Sequence, residues 1–299
     1  MITNFTDADV PDQRGKTIFI TGANTGIGFE CAMVLAGKGA RVLLGCRSPE
    51  KAEAARQRIV AAHPQADVVL VPIDLGDLAS VRSAAGVVAA EARLDVLINN
   101  AGIMMAPRAL TQDGFESQLG VNHLGPFLLT SLLLPKLEAT PHSRIVNTSS
   151  NAHKAGNIDF DDLSAERSYS ALGRYNQSKL ANLLHTFELN RQLRERGSSA
   201  LAVTAHPGAT DTDLVRHLPT FVVNWVLPIV RPMFNKPHEG AWPTLLAATA
   251  PDVEGGQYFG PGGFGEFAGP ARQVKATARA NDDALAAKLW QVSAELVGA

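Results

Sequence analysis

A strand, a glycine turn and a helix follow one another without a break near the start of this chain, and no other feature restricts its fold so strongly. Lys16-Thr17-Ile18-Phe19-Ile20 has the apolar character of a strand buried on both faces. Thr21-Gly22-Ala23-Asn24-Thr25-Gly26-Ile27-Gly28 comes next and opens a helix through residues 29–35. Glycines let the backbone approach a ligand closely, and the unpaired N–H groups at a helix start attract negative charge. A glycine turn alone is common in proteins, but in a βαβ unit it points to a bound pyrophosphate.

Along the rest of the chain strand-like and helix-like segments alternate, the pattern of a parallel sheet with crossover helices. Further strands are expected at residues 41–45, 67–73, 95–99, 144–148, 201–205 and 257–259, and helices at 49–62, 78–91, 115–137, 171–193, 237–249 and 282–296. At 299 residues, 45% of them hydrophobic, the chain can bury one large core. The predicted fold is a single Rossmann-type domain over residues 1–299: a doubly wound α/β parallel sheet of about seven strands with helices on both faces.

Such a sheet binds ligands beyond the carboxyl ends of its strands. The chemically distinctive residues stand there: Gly22 after the first strand, Cys46 and Arg47 after the second, Asp74 after the third, Asn99 to Gly102 after the fourth, Ser149 and Ser150 after the fifth, and His206-Pro207-Gly208 after the sixth. The second strand ends Leu44-Gly45-Cys46-Arg47, with no carboxylate for a ribose 2′-hydroxyl and a guanidinium suited to a 2′-phosphate. NADP(H) is therefore the expected cofactor and NAD(H) the alternative. Asn99 reads as a brace within the sheet, and Asp74 also suits a turn cap.

Tyr175-Asn176-Gln177-Ser178-Lys179 sets a phenol and an ammonium four residues apart on a predicted helix, hence on one face. A free tyrosine has a pKa near ~10, and a fixed cation beside it stabilises the phenolate and makes it a usable acid or base.

Net charge is -2 with no basic run, which argues against nucleic acid or anionic membrane surfaces as partners. A small carbonyl or alcohol substrate is expected, and assembly with further copies of the chain is left open. Cys31 and Cys46 lack metal-ligand spacing and fit a reducing compartment, so no metal site is expected. The first eleven residues lack the basic start and apolar core of a signal peptide, which points to a cytoplasmic location. Residues 217–230 are apolar but broken by Pro219, Asn224 and Pro228, and a spanning helix needs ~20 apolar residues. No membrane span is expected. The stretch reads instead as part of a lipophilic substrate lid over about residues 211–236.

These motifs together resemble the short-chain dehydrogenase/reductase superfamily, and within it the retinol dehydrogenase-like branch. The resemblance runs from Lys16 to Gly260 and rests on the glycine turn, Asn99-Asn100-Ala101-Gly102, Gly120-Val121-Asn122-His123-Leu124-Gly125, Arg144-Ile145-Val146-Asn147-Thr148-Ser149-Ser150, residues 175–182 and His206-Pro207-Gly208. It implies a catalytic tetrad of Asn122, Ser150, Tyr175 and Lys179, with Ser150 chosen as the second serine of its pair. Tyr169 is set aside because Gly173, not lysine, lies four residues on. The step from Ser150 to Tyr175 is longer than in many members. The resemblance also implies cofactor contacts from Gly22, Asn24, Gly26, Ile27, Gly28, Arg47, Asp74, Leu75, Asn100, Ala101, Gly102, Tyr175, Lys179, Pro207, Gly208, Thr210 and Thr212. The implied activity is hydride transfer between a nicotinamide and a lipophilic carbonyl or alcohol, with Tyr175 as general acid or base. Two alternatives remain: a catalytically silent nucleotide-binding sensor or scaffold, and a serine hydrolase built on Ser150, His153 and Asp159, for which no Gly-x-Ser-x-Gly elbow is present.

Overall fold

A computed structural model describes residues 3–209 and 235–299 of the chain. All but the last two residues of the expected lid, together with Thr210 and Thr212, lie outside the described residues. The strands are β1 (Thr17–Thr21), β2 (Arg41–Cys46), β3 (Asp67–Pro72), β4 (Val96–Asn99), β5 (Arg144–Thr148), β6 (Leu201–Ala205), β7 (Tyr258–Pro261) and β8 (Ala271–Val274). They form one sheet in the order β3-β2-β1-β4-β5-β6-β7-β8. The first seven run parallel, so their carboxyl ends share one edge, and β8 pairs antiparallel with β7.

The expected sheet of about seven strands therefore has eight. β8 reads Ala-Arg-Gln-Val and is buried only at its first residue, so it carries no apolar run to mark it. Pairing with β7, and backbone bonds between Ala271 and Phe5, make it a strand.

The principal helices are α1 (Gly26–Gly37), α2 (Pro49–Ala62), α3 (Leu78–Ala89), the single turn α4 (Ser117–Leu119), α5 (Gly125–Glu138), α6 (Ala171–Glu195), α7 (Pro237–Gly240), α8 (Trp242–Thr249) and α9 (Asp283–Val297). Side chains alternate across each strand. Ile18 and Ile20 of β1 pack with α1, α2 and α8 on one face, whereas Phe19 packs with α3 and α5 on the other. Val42 and Leu44 repeat that split against Leu43, as Val96 and Ile98 do against Leu97. Burial on both faces explains the continuous apolar runs.

The helix expected over residues 115–137 begins at Ser117, capped by the Glu116 carboxylate, and passes through a π-helical turn at Gly120–Leu124 before α5. Gly125 donates its N–H to the Gly120 carbonyl, and Pro126 beyond it has no N–H to give. The missing donor lets the ladder slip by one residue, and such turns recur at functional sites.

Beneath this turn, His123 and His185 are buried among Phe127 and Trp290, with His123 Nε2 2.8 Å from Ser293 Oγ. Burial lowers His123 to about 4 and His185 to about 3, well below the ~6.5 of an exposed histidine. Between those values the unfolded chain binds more protons than the folded one. The stability is thus complete above pH ~6.5 and declines as pH falls toward the folded values, at up to ~1.4 kcal/mol per unit for each histidine. Urea titrations are expected to show this decline, with a shallower slope in His185→Phe. Equal slopes in both proteins would exclude His185 as a source.

Candidate active site

α6 carries the phenol and ammonium because Ser170 caps its start and its next turns lie against β5. Lys179 is 4% exposed; its Nζ donates to the Thr148 carbonyl at 3.3 Å and lies 5.5 Å from the centroid of the half-buried Tyr175 ring. Asn182, one turn further along, donates to the same carbonyl at 2.9 Å. The end of β5 thereby fixes the height of the lysine.

Asn122 leaves the π-helical turn and is locked on three sides. Its Oδ1 accepts from Ile103 N at 2.8 Å, and its Nδ2 donates to Ile103 O at 2.8 Å and to Ser178 Oγ at 3.0 Å. A Cβ added at Gly102 would stand 3.1 Å from Asn122 Oδ1 and 3.5 Å from Lys179 Nζ. The two polar groups thus approach one point, where the bare glycine avoids a tight contact.

The serine pair divides by strand alternation. Ser149 is buried and its hydroxyl donates to the Lys179 carbonyl at 2.8 Å. Ser150 is half-buried, and its Oγ accepts from Ala152 N at 3.2 Å as it opens a 3₁₀ turn over Asn151–Ala155. Ser149 is committed to bracing α6, whereas the Ser150 hydroxyl is not tied to that helix. Tyr169 donates to the Ala106 carbonyl and accepts from Gln118 Nε2, so it fastens two loops together.

The glycine turn fits a dinucleotide. Gly22 has φ +68°, and a Cβ there would come within 2.9 Å of the Ala101 Cβ; at Gly28 it would come within 2.5 Å of the Gly22 carbonyl and of Asn100 Nδ2. At Gly26, in contrast, a Cβ would meet nothing within 4 Å. Turn and sheet pack tightly below and leave space above. Thr25, at the start of α1, makes no side-chain cap, so the first amides of Ile27 and its neighbours remain available to an anion.

Arg47 stands at the end of β2 with its side chain 81% exposed, Nη1 3.9 Å from Asp74 Oδ2. Asp74 also accepts from Gly76 N at 2.9 Å, so the turn-cap role is present. Leu75 beside it is buried. Asn99 bonds Thr130 at 2.9 Å and Asn147 at 2.8 Å and is the expected brace. Asn100 is also committed, through Nδ2 to the Thr21 carbonyl at 2.9 Å, while Thr21 Oγ1 accepts from the Asn100 and Ala101 amides at 3.1 Å. Thr21 clamps β1 to β4 at the edge, a role that its place before the glycine turn does not reveal. Both thiols are buried and pushed up, Cys46 to about 11, which keeps them neutral.

A family model described as short chain dehydrogenase matches residues 16–221. The chain belongs to the short-chain dehydrogenase/reductase family. Its similarity to retinol dehydrogenase 12 of Homo sapiens is 43% identity over 287 residues, covering 95% of this chain and 87% of that protein. Retinol dehydrogenase 13 of Homo sapiens is 44% identical over 292 residues, covering 95% and 85%. These relatives place it in the retinol dehydrogenase-like branch of the family, and it is an oxidoreductase. A crystal structure of a protein from Mycobacterium paratuberculosis superposes with a TM-score of 0.82 at 42% identity, over 99% of this chain and 98% of that one. A blue fluorescent protein from a metagenomic library, solved in complex with NADPH, has a TM-score of 0.65 at 27% identity, over 83% and 96%.

Hydrolase geometry is not what this family member presents. His153 turns Nδ1 to the Ser150 backbone carbonyl at 2.7 Å rather than to its hydroxyl, and Asp159 lies 4.0 Å from Arg167. Among the described residues no helix is long and apolar enough to cross a membrane.

Proposed function

We propose that the chain, acting as one nucleotide-binding domain, is an NADP(H)-dependent oxidoreductase that interconverts a lipophilic carbonyl compound and its alcohol. The observation that carries this reading is the convergence of Asn122 Oδ1 and the buried Lys179 ammonium on one point at Gly102, with Tyr175 one helical turn from Lys179. A bound nicotinamide supplies or accepts the hydride. Tyr175 donates a proton to the substrate oxygen, or removes it in the alcohol-oxidising direction. Ser150 donates a hydrogen bond to that oxygen as negative charge builds on it. Lys179 stabilises the phenolate, and Asn122 orders the polar path between Lys179 and the Ile103 backbone. Arg47, open to solvent at the end of β2, supports a preference for the 2′-phosphate.

Two observations support a lipophilic substrate. Relatives of this chain bear the name retinol dehydrogenase. Exposed Met105, Leu110, Leu172, Phe264 and Phe267 stand on segments beyond the carboxyl edge. The test is direct: the purified protein is expected to shift NADPH fluorescence and then to consume NADPH with retinoid, fatty or aromatic aldehydes, faster than with sugars or charged keto acids. Binding without consumption across such a panel would favour the silent sensor instead.

A further inference from the structure

The loop between β7 and β8 holds an ionic contact that the proposed chemistry does not use. Glu266 Oε2 lies 3.2 Å from Lys154 Nζ and 3.3 Å from Nε2 of His206, which is fully buried. Lys154 belongs to the turn that Ser150 opens. His206 begins the segment that leaves β6, and its Nδ1 accepts from the Gly208 N–H at 3.3 Å. One carboxylate therefore touches both segments that flank the proposed nicotinamide end of the site.

Backbone contacts repeat the pattern. Asn151 Nδ2 donates to the Gly265 carbonyl at 3.1 Å, and Ala209 N donates to the Phe267 carbonyl at 3.0 Å. Asn235 then donates its amide to Ala209 O at 3.0 Å and its Nδ2 to Pro207 O at 3.2 Å, while its Oδ1 accepts from Gly269 N at 3.0 Å. Gly208 has φ +78°, and a Cβ there would collide with the Phe267 carbonyl, so turn and loop are fitted face to face. Gly265 and Glu266 are both left-handed, at φ +61° and +60°. For a glutamate that conformation is unfavourable and needs support from its surroundings. The contacts of its carboxylate are such support.

We propose that Glu266 is a positioning residue for the cofactor site, acting through His206 on the Pro207–Gly208 turn and through Lys154 on the turn that carries Ser150. The proposal rests on the function inferred above. It has a signature that simple packing lacks, because His206 accepts the Gly208 N–H only while Nδ1 is bare. A second proton on the imidazole would set N–H against N–H and release the turn. The groups facing His206 are Glu266, Lys154, His153 and Tyr258. Burial disfavours that proton, and the Glu266 carboxylate favours it.

Calorimetric titration with NADP+ from pH 5 to 8 tests this in the full-length protein, Glu266→Gln, Lys154→Met and His206→Asn. Glu266→Gln should weaken NADP+ binding near neutral pH on the order of tenfold, because the carboxylate that stands 3.3 Å from the buried His206 ring loses its charge. Its acid-side loss of affinity should also begin at lower pH than in the wild type. The more exposed pair to Lys154 should matter less, under about threefold in Lys154→Met. In His206→Asn an acceptor remains for Gly208 N–H but cannot titrate, so the acid limb should again lie below that of the wild type; this arm carries the test if Glu266→Gln does not fold. The phosphate of the cofactor titrates alike in every variant, so only differences between limbs count. Wild-type affinity and an unmoved limb in both Glu266→Gln and His206→Asn would overturn the positioning role alone. A wild-type protein that binds no NADP+ would overturn the proposed function along with it.

Discussion

Replacing Tyr175 with phenylalanine is expected to lower turnover by ~10²–10⁴, the usual worth of one general acid or base, while NADPH still binds. Phenylalanine keeps the ring, so the packing at the start of α6 is preserved and only the hydroxyl is lost. Lys179 stays fixed by the Thr148 carbonyl and by its burial, so losing the phenol hydroxyl does not release it. Steady-state rates with the best carbonyl substrate, set beside NADPH affinity from fluorescence, separate the two effects. Tyr169→Phe is the control, since that hydroxyl serves the Ala106 carbonyl and Gln118. Near wild-type turnover in Tyr175→Phe would remove the assignment.

Arg47→Asp is expected to shift the ratio of kcat/KM for NADPH over NADH at least tenfold toward NADH. Charge-assisted contacts to ionised groups are worth ~1.5–3 kcal/mol, and ~1.4 kcal/mol is one decade. The new carboxylate would stand beside Asp74, which is now 3.9 Å from the guanidinium. Two carboxylates repel a 2′-phosphate more strongly than one, so most of the shift should come from lost NADPH efficiency rather than gained NADH efficiency. Arg47 is too exposed for its loss to unsettle the fold. An unchanged ratio would mean that Arg47 does not read the phosphate, and the preference for NADP(H) would fall with it.

Local chemistry explains why so much of this site is legible in the order of the residues. The close approach of Gly28 to the Gly22 carbonyl lies within one short strand-turn-helix unit, and Tyr175 and Lys179 share a helix face by spacing alone. Such relations span at most a few residues, so periodicity and turn chemistry report them. Ser149 and Ser150 show the limit. Both are serines at a strand end, and which of them turns to α6 depends on the packing of that helix against β5.

The rest belongs to contacts between segments distant along the chain. β8 is a strand because β7 and Phe5 offer it backbone partners, not because its own side chains ask for it. The π-helical turn can be explained by Pro126 once it is seen, yet the inward aim of Asn122 needs Ile103 and Ser178 to receive it. Glu266 carries no signal in the sequence, as an isolated acid in a glycine-rich stretch whose partners are distant, Lys154 being 112 residues away and His206 standing at the end of another strand. By itself, then, the sequence determined the alternation of elements, the parallel sheet and the edge along which the chemistry gathers, because hydrophobic period and turn residues act over short range. Only the tertiary structure decided which polar groups meet at that edge, because a hydrogen bond is set by the last ångström of position, and that position is set by the packing of the whole sheet.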